Sequence, residues 1–298
     1  MARLVASLRP IGGGGRVRRL AVDATSVSHA TWERLRAAAP DVELVPAEGW
    51  LGPLREAKEP AELERVAAAC AVADEALAAL LPTIRAGATE RELALGLEWA
   101  MRTGGAEALA FDVACLSGPR AALPHGSPGE RRLAAGEVLL FDFGAQVCGY
   151  RSDMTRTLFV GEPTARDLGL HRLVAEAQEA AFELLATTAA LGADRATALT
   201  TRMVDEAARR VIERAGMGAR FGHGLGHGIG LATHEPPFLG RRAPDVPLPS
   251  PTAFSVEPGV YLDGETGVRI EDLVAYDPST GRCERLTAFP RTVTVVGG

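Results

Sequence analysis

A pattern of helix, helix and acid-bearing hairpin occurs twice in this chain, and that repetition constrains its fold more than any other feature. In the first round, residues 60–81 have helical spacing, with Leu63, Val66, Ala67, Cys70, Ala73, Leu77 and Leu80 on one stripe. A second helix opens at Thr89, where Glu92 completes a capping box, and carries Leu93, Leu97 and Met101. An extended run over 138–143 then turns near Cys148-Gly149 and returns to Val160. The second round predicts a helix over 165–190. Another follows with Leu199, Met203, Ala207, Val211 and Ile212, ending at Gly216. A glycine-rich segment comes next, then strands around 254–257 and 268–271. Two such halves facing each other would bring four carboxylates to one place.

Ahead of this repeat, 1–55 reads as a short α/β unit, with strand candidates at 20–22 and 42–45 around a helix over 26–39 that stops at Pro40. Glycine and proline signals between Gly49 and Pro60 mark the boundary, leaving 56–298 as the larger domain. At 47% apolar and 23% charged residues, disorder, collagen and coiled coil are excluded. The net charge, 32 − 38 = −6, argues against nucleic acid or an anionic membrane as partner. No uninterrupted apolar run approaches the roughly 20 residues of a membrane span. Met1 to Pro10 has arginines but only a short apolar stretch before Gly12–Gly15, which makes a poor signal peptide. Cys70, Cys115, Cys148 and Cys283 are widely spaced, as reduced thiols of a cytoplasmic protein would be.

The chemistry lies in three clusters. Asp142, between two phenylalanines, and Asp153 flank the first hairpin. If the loop centres on Val147-Cys148 they are direct partners, roughly 4.5–5.5 Å apart at Cβ; if on Cys148-Gly149 they are diagonal neighbours. Either register puts both on one face. Two bare carboxylates there would repel and be desolvated, an objection that a divalent cation removes. The plainer alternative is a salt bridge to Arg151 or Arg156. Residues 221–235 form the second cluster, with glycine at every second position from Gly222 to Gly230 and three of the six histidines, His223, His227 and His234. An extended chain would turn those glycines to one face, where a neighbouring backbone can approach, and His223, Leu225, His227 and Ile229 to the other. His29 and His171 have no such company and read as helix-surface residues. The third cluster pairs Glu257 with Glu271 across a turn at Asp263-Gly264, with Arg269 the obvious ion-pair partner for Glu271. Carboxylates with imidazoles suit Mn²⁺, Co²⁺, Fe²⁺ or Zn²⁺. Four carboxylates can hold two such ions with an activated water between them. Dinucleotide, P-loop, α/β-hydrolase and zincin motifs are all missing.

In order and spacing, six segments resemble the prolidase/aminopeptidase P family of pita-bread metallopeptidases, across about residues 56–298. They are Phe141-Asp142-Phe143-Gly144-Ala145, Ser152-Asp153-Met154-Thr155-Arg156-Thr157, Gly226-His227-Gly228-Ile229-Gly230, His234-Glu235, Val256-Glu257-Pro258-Gly259 and Arg269-Ile270-Glu271-Asp272. The resemblance implies an α/β (α+β) pita-bread catalytic domain behind the short N-terminal unit. It also implies two divalent metal ions (Mn²⁺, Co²⁺ or Zn²⁺) and a proline-containing peptide substrate, cut between its first residue and the following proline. By the same resemblance Asp142 would chelate one ion, Asp153 and Glu271 would bridge both, and His227 and Glu257 would complete the second. Glu257 would serve as general base and His234 would steady the tetrahedral intermediate. His125, His223 and Arg269 would belong to the substrate pocket. A cytoplasmic homodimer is expected.

Two departures stand out. The first 55 residues are about half the family's usual N-terminal domain, which reads as a truncation. Phe238 stands four residues after His234, where dedicated Xaa-Pro dipeptidases often carry an arginine; Arg241 or Arg242 can take its part, and otherwise longer peptides are the expected substrates. Methionine aminopeptidase shares the catalytic half, but the contexts of Glu257 and Glu271 look more like the proline-specific branch. A peptide-binding pseudoenzyme or a metal-free creatinase-like hydrolase would be expected to have lost ligands that this chain keeps.

Overall fold

The computed structural model describes residues 16–193 and 199–297. The Met1 to Pro10 stretch and the Gly12–Gly15 run therefore lie outside the described residues. Two compact units divide the chain, Met1–Leu54 and Arg55–Gly298. In the first, β1 (Arg19–Asp23) and β2 (Glu43–Ala47) pair in parallel and α1 (His29–Ala38) connects them. Val22, Leu35 and Ala39 form its small core. The helix starts three residues later than its spacing suggests. The Asp23 carboxylate accepts hydrogen bonds from Thr25 N, Thr25 Oγ1 and Ser26 Oγ, which holds the chain in a turn until Ser28 caps the helix.

The second unit repeats its pattern as the sequence predicts. Its first half packs α2 (Pro60–Leu80) and α3 (Glu90–Thr103) on strands β3 (Ala108–Leu109), β4 (Ala114–Ser117), β5 (Glu137–Phe143), β6 (Ala145–Val147), β7 (Tyr150–Arg151) and β8 (Met154–Val160). The capping box at Thr89 is present, with Glu92 N 3.1 Å from Thr89 Oγ1 and Thr89 N 2.8 Å from the Glu92 carboxylate. The second half packs α4 (Ala165–Ala190) and α5 (Thr201–Arg214) on β9 (Gly226–Gly228), β10 (Glu235–Leu239), β11 (Thr252–Val256), β12 (Gly259–Leu262), β13 (Thr266–Arg269), β14 (Asp272–Asp277) and β15 (Arg282–Arg285). A last strand, β16 (Val295–Val296), returns to lie parallel to β8. Each half has its own apolar core, one around Leu77, Leu97 and Phe141 and the other around Val174, Phe254 and Ile270. A third cluster ties Leu63, Val66 and Cys70 of α2 to Ile229, Ala253 and Leu273 of the second half.

Both long hairpins are interrupted. The first turns at Cys148-Gly149, both at positive φ, so Val147 pairs with Tyr150 and Asp142 with Thr155. That is the later of the two registers, with Asp142 and Asp153 diagonal. The ladder breaks at Gly144, where any Cβ would fall 1.9 Å from Ser152 O. The second hairpin runs from Val256↔Asp272 in β11–β14 to Gly259↔Arg269 in β12–β13, and the break falls at Glu257-Pro258 and Ile270-Glu271. Its turn takes three residues, 263–265, because Leu262 pairs with Thr266.

Three sequence expectations need correction. On α5, the buried stripe is Thr201, Val204, Asp205, Ala208, Arg209 and Ile212, while Met203 is exposed. A stripe counted from apolar residues alone misses the Asp205–Arg209 ion pair at 2.8 Å, which is buried because Arg209 also donates to Phe221 O and His223 O. His171 is buried against the Phe159 ring, and that burial, with Arg156 nearby, lowers its pKa to about 4. Only Gly226–Gly228 of the glycine-rich segment is a strand, so the five glycines do not share one extended face. Residues 60–83, though interrupted by charges such as Arg65, Asp74 and Glu75, are long enough for a membrane span, and an 18-residue window within them reaches a mean hydropathy of 1.5. One face of that stretch, through Leu63, Val66, Cys70 and Leu77, is nonetheless packed in the protein's interior.

The close approach at the glycines gives a direct test. A Cβ on Gly226 would lie 1.9 Å from Ser255 O, whereas one on Gly222 meets nothing within 4 Å. We expect Gly226→Ala to lower unfolding free energy by about 3 kcal/mol or more, and Gly222→Ala to stay within about 0.5 kcal/mol of the parent, as read by urea titration.

Candidate metal centre

The breaks in the two hairpins present the acids. Asp142 is the penultimate residue of β5, Asp153 lies between β7 and β8, Glu257 follows β11, and Glu271 sits between β13 and β14. At the breaks the backbone leaves its own ladder. Glu257 N donates to Leu225 O at 2.8 Å, and Glu271 N donates to Thr155 O in the other half at 3.1 Å. His227 enters from β9, its N–H held by Ser255 Oγ at 3.0 Å.

These five residues meet. Ligand atoms of Asp142, Asp153 and Glu271 lie within 4.8 Å of one another, as do those of His227, Glu257 and Glu271, and those of Asp153, His227 and His234. His227 Nε2 is 3.3 Å from Glu257 Oε1 and 3.6 Å from Asp153 Oδ2. Its other ring nitrogen, Nδ1, is 3.1 Å from Gly228 O. With the proton on Nδ1, the Nε2 lone pair faces the carboxylates, the orientation a metal-bound imidazole needs.

The electrostatics also fit cations. Burial raises the carboxyls of Asp142, Asp153 and Glu271 above the ordinary range; for Asp153 and Glu271 the shift is large, and neighbouring carboxylates add to it. Glu257 goes the other way. Burial raises it, but the hydrogen bond and charge of His227, then His223 and Arg269, bring it down to about 2. Asp153 Oδ1 is buried with no hydrogen-bond partner, a state that costs free energy unless something binds it. A divalent cation would supply the missing partner, and the oxygen-rich set with one imidazole suits it.

Around this cluster Arg269 is the central charge, buried between the halves. It pairs with Asp142 at 2.6 Å, not with Glu271 as its position in sequence suggests, and it donates to Tyr261 OH, Thr155 Oγ1 and Pro124 O. A continuous strand would put Arg269 and Glu271 on one face, but the ladder breaks at Ile270-Glu271 and takes Glu271 out of that alternation. Arg151 and Arg156, the alternative partners for the first acid pair, bond elsewhere, Arg151 to Ala110 O and Thr233 and Arg156 to Asp272. His223 Nε2 is 2.9 Å from Tyr261 OH. A cavity of about 810 Å³ opens onto the acids and is lined by His125, His223, His227, His234, Arg269 and Phe238 among others. His125 and His234 are both exposed to it, and the His234 ring centre lies 4.2 Å from that of His227. Arg241, which also lines the cavity, is paired with Glu213 at 2.8 Å.

Sequence reasoning missed Tyr261 and the buried Lys58. Gly259 opposite Arg269 was the signal for the first, since a Cβ there would meet the Tyr261 hydroxyl at 2.5 Å. Lys58, the only lysine, donates to Glu235 Oε1 at 3.0 Å, and Arg55 pairs with the same carboxylate. Those contacts fix the residue beside His234, and no local pattern signals them.

Residues 64–278 match metallopeptidase family M24, and the chain belongs to that family. Over 221 residues it is 38% identical to a Xaa-Pro dipeptidase of Pyrococcus furiosus, an alignment that covers 74% of this chain and 60% of the relative. The chain thus spans about 60% of the length of that curated relative. A Thermotoga maritima X-Pro aminopeptidase structure superposes with a TM-score of 0.86 at 37% identity, covering 94% of this chain and 76% of the other. A Xaa-Pro dipeptidase structure from Bacillus anthracis gives 0.85 at 35%, covering 94% and 75%. The fold is the mixed α/β pita-bread fold of these neighbours.

The raised carboxyls give the cluster a pH signature without metal. An acid whose folded pKa is raised costs no stability below its unfolded pKa near 4, and costs progressively more as pH rises above it. We expect metal-stripped protein to lose stability from about pH 4 towards neutral and Mn²⁺ to restore it. Asp153→Asn should flatten that fall and abolish the Mn²⁺ effect. Thermal melts from pH 5 to 8, in chelator and in Mn²⁺, check both.

Proposed function

We propose that this chain is a metal-dependent exopeptidase that hydrolyses the bond between an N-terminal residue and a following proline, using two divalent cations. The observation that carries this reading is the convergence of Asp142, Asp153, His227, Glu257 and Glu271 at the floor of a cavity. The names of the relatives support the substrate class. Asp142 would hold one ion, His227 and Glu257 the other, and Asp153 and Glu271 both. When bound, the ions supply Lewis acidity and an acidified water.

The chain's own groups account for the proton traffic. Glu257, the one acid of the four whose pKa is held down rather than raised, is ionised at neutral pH and can take a proton from the attacking water. A C–O bond forms at the scissile carbonyl. Glu257 passes the proton to the proline nitrogen as the C–N bond breaks, and that nitrogen leaves as a secondary amine. Desolvation lowers the pKa of His234 and keeps it neutral, so its ring N–H can donate to the oxyanion. His125, His223 and Arg269 line the pocket that receives the peptide. The scissile amide has no N–H to recognise, so the pocket must grip the carbonyl and the free amine instead.

Phe238, 44% exposed on the cavity wall, offers no charge to a dipeptide's C-terminal carboxylate. The reading therefore favours peptides longer than two residues. It extends to a homodimer and, with four unbridged cysteines, to the cytoplasm. With Mn²⁺ we expect the purified chain to cleave Ala-Pro-Pro faster than Ala-Pro and to leave Ala-Ala intact. Failure on both proline peptides with metal bound would make it a peptide-binding relative instead. Glu257→Gln should lower kcat by about 10²–10⁴-fold while the metal content stays near that of the parent.

A further inference from the structure

Glu271 is gripped by one dipeptide of the other half, Thr155-Arg156. Its backbone N–H donates to Thr155 O at 3.1 Å, and its backbone carbonyl accepts from Arg156 Nη1 at 2.6 Å. Its carboxylate Oε2 accepts from Thr155 Oγ1 at 2.7 Å. Thr155, Arg156 and Glu271 are each at most 2% exposed.

Arg156 cannot drift. A guanidinium has five N–H donors, and here each has an acceptor. They are Pro290 O at 3.1 Å, Thr155 O at 2.9 Å, and Glu271 O, Asp272 Oδ1 and Phe289 O at 2.6 Å. Any rotation of the planar group breaks several bonds at once. With Glu271 ionised, as a metal ligand must be, the Thr155 bond also has a settled direction. A hydroxyl carries one proton, and a guanidinium only donates. Arg269 Nε donates into Thr155 Oγ1 at 2.9 Å, so the threonine proton is left for Glu271 Oε2. That oxygen is held as an acceptor, in one rotation.

We propose that Thr155 and Arg156 are positioning residues that set the Glu271 carboxylate for divalent cations, an inference that rests on the metallopeptidase reading above. Neither residue lines the cavity. They act through Glu271, which, like Asp153, belongs to two of the three ligand groups that converge there. Partners that orient metal ligands in this way typically contribute about 10–100-fold in affinity.

The test is Mn²⁺ titration of the metal-stripped full chain by calorimetry, with Co²⁺ absorption spectra as a second readout. Thr155→Val keeps the side-chain shape and removes the hydroxyl. It should weaken Mn²⁺ binding about 10–100-fold and shift the visible bands of the Co²⁺-loaded protein. Thr155→Ser restores the hydroxyl and should bring both back to the parent values. A purely structural role would lower the melting temperature and leave affinity and spectrum alone. Parent-like binding by Thr155→Val, or no rescue by serine, overturns the proposal. If the valine variant does not fold, Arg156→Lys, with three donors in place of five, decides the matter: parent affinity there overturns it and weakened affinity supports it. A parent protein that binds no Mn²⁺ overturns the metallopeptidase reading, and this inference with it, a result distinct from losses confined to the variants.

Discussion

Four carboxylates removed from water at one point are the constraint around which the second unit is arranged. Asp142, Asp153, Glu257 and Glu271 repel each other, and burial alone pushes each towards its neutral form. Two of this chain's groups offset part of that cost. Arg269 is a fixed charge against Asp142, and His227 lies against Glu257 and Asp153. One oxygen, Asp153 Oδ1, remains without any partner. A protein keeps such a cluster when a cation completes it.

Getting four acids to one point requires each hairpin to stop being a hairpin locally. A continuous ladder would spend every backbone N–H on its own partner strand. At Glu257 and Glu271 the N–H groups leave the ladder and bond to Leu225 O and Thr155 O. The bond at Glu271 joins the two halves through a residue that carries one of the acids, while that at Glu257 stays within the second half. Glycine makes room for this crossing: at Gly144 and Gly226 a neighbouring carbonyl occupies the space of a Cβ. Rigidity follows from the bonding rather than from any separate brace, since Arg156, Arg269 and Thr155 each contact both halves.

Much of the arrangement was readable from residue order. Apolar spacing gave α2 and α4 nearly to the residue and the capping box gave the start of α3, because helix ends depend on local hydrogen bonds such as those Thr89 and Thr164 supply. Two loop positions were open for the first hairpin, and a period of two placed Asp142 and Asp153 on one face in either; the structure takes Cys148-Gly149. Local pattern gave wrong answers where burial was achieved by pairing rather than by apolarity. Asp205 and Arg209 fill a buried stripe that hydrophobic counting assigns to Met203. His171 lies inside, although nothing next to it in sequence is unusual.

The amino-acid sequence by itself determined the doubled pattern, the hairpin turns and the residue types that gather at the metal centre, since each follows from local periodicity or from the chemistry of a short segment. The tertiary structure alone decided which charges pair. Arg269 takes Asp142, 127 positions away, in preference to Glu271 two residues on. Lys58 and Glu235 meet across 177 positions, and Thr155 finds Glu271 across 116. Such choices depend on which buried groups the packing of the two halves brings within hydrogen-bonding reach, about 3 Å, because a buried charge left unpaired is costly, and no spacing along the chain encodes it.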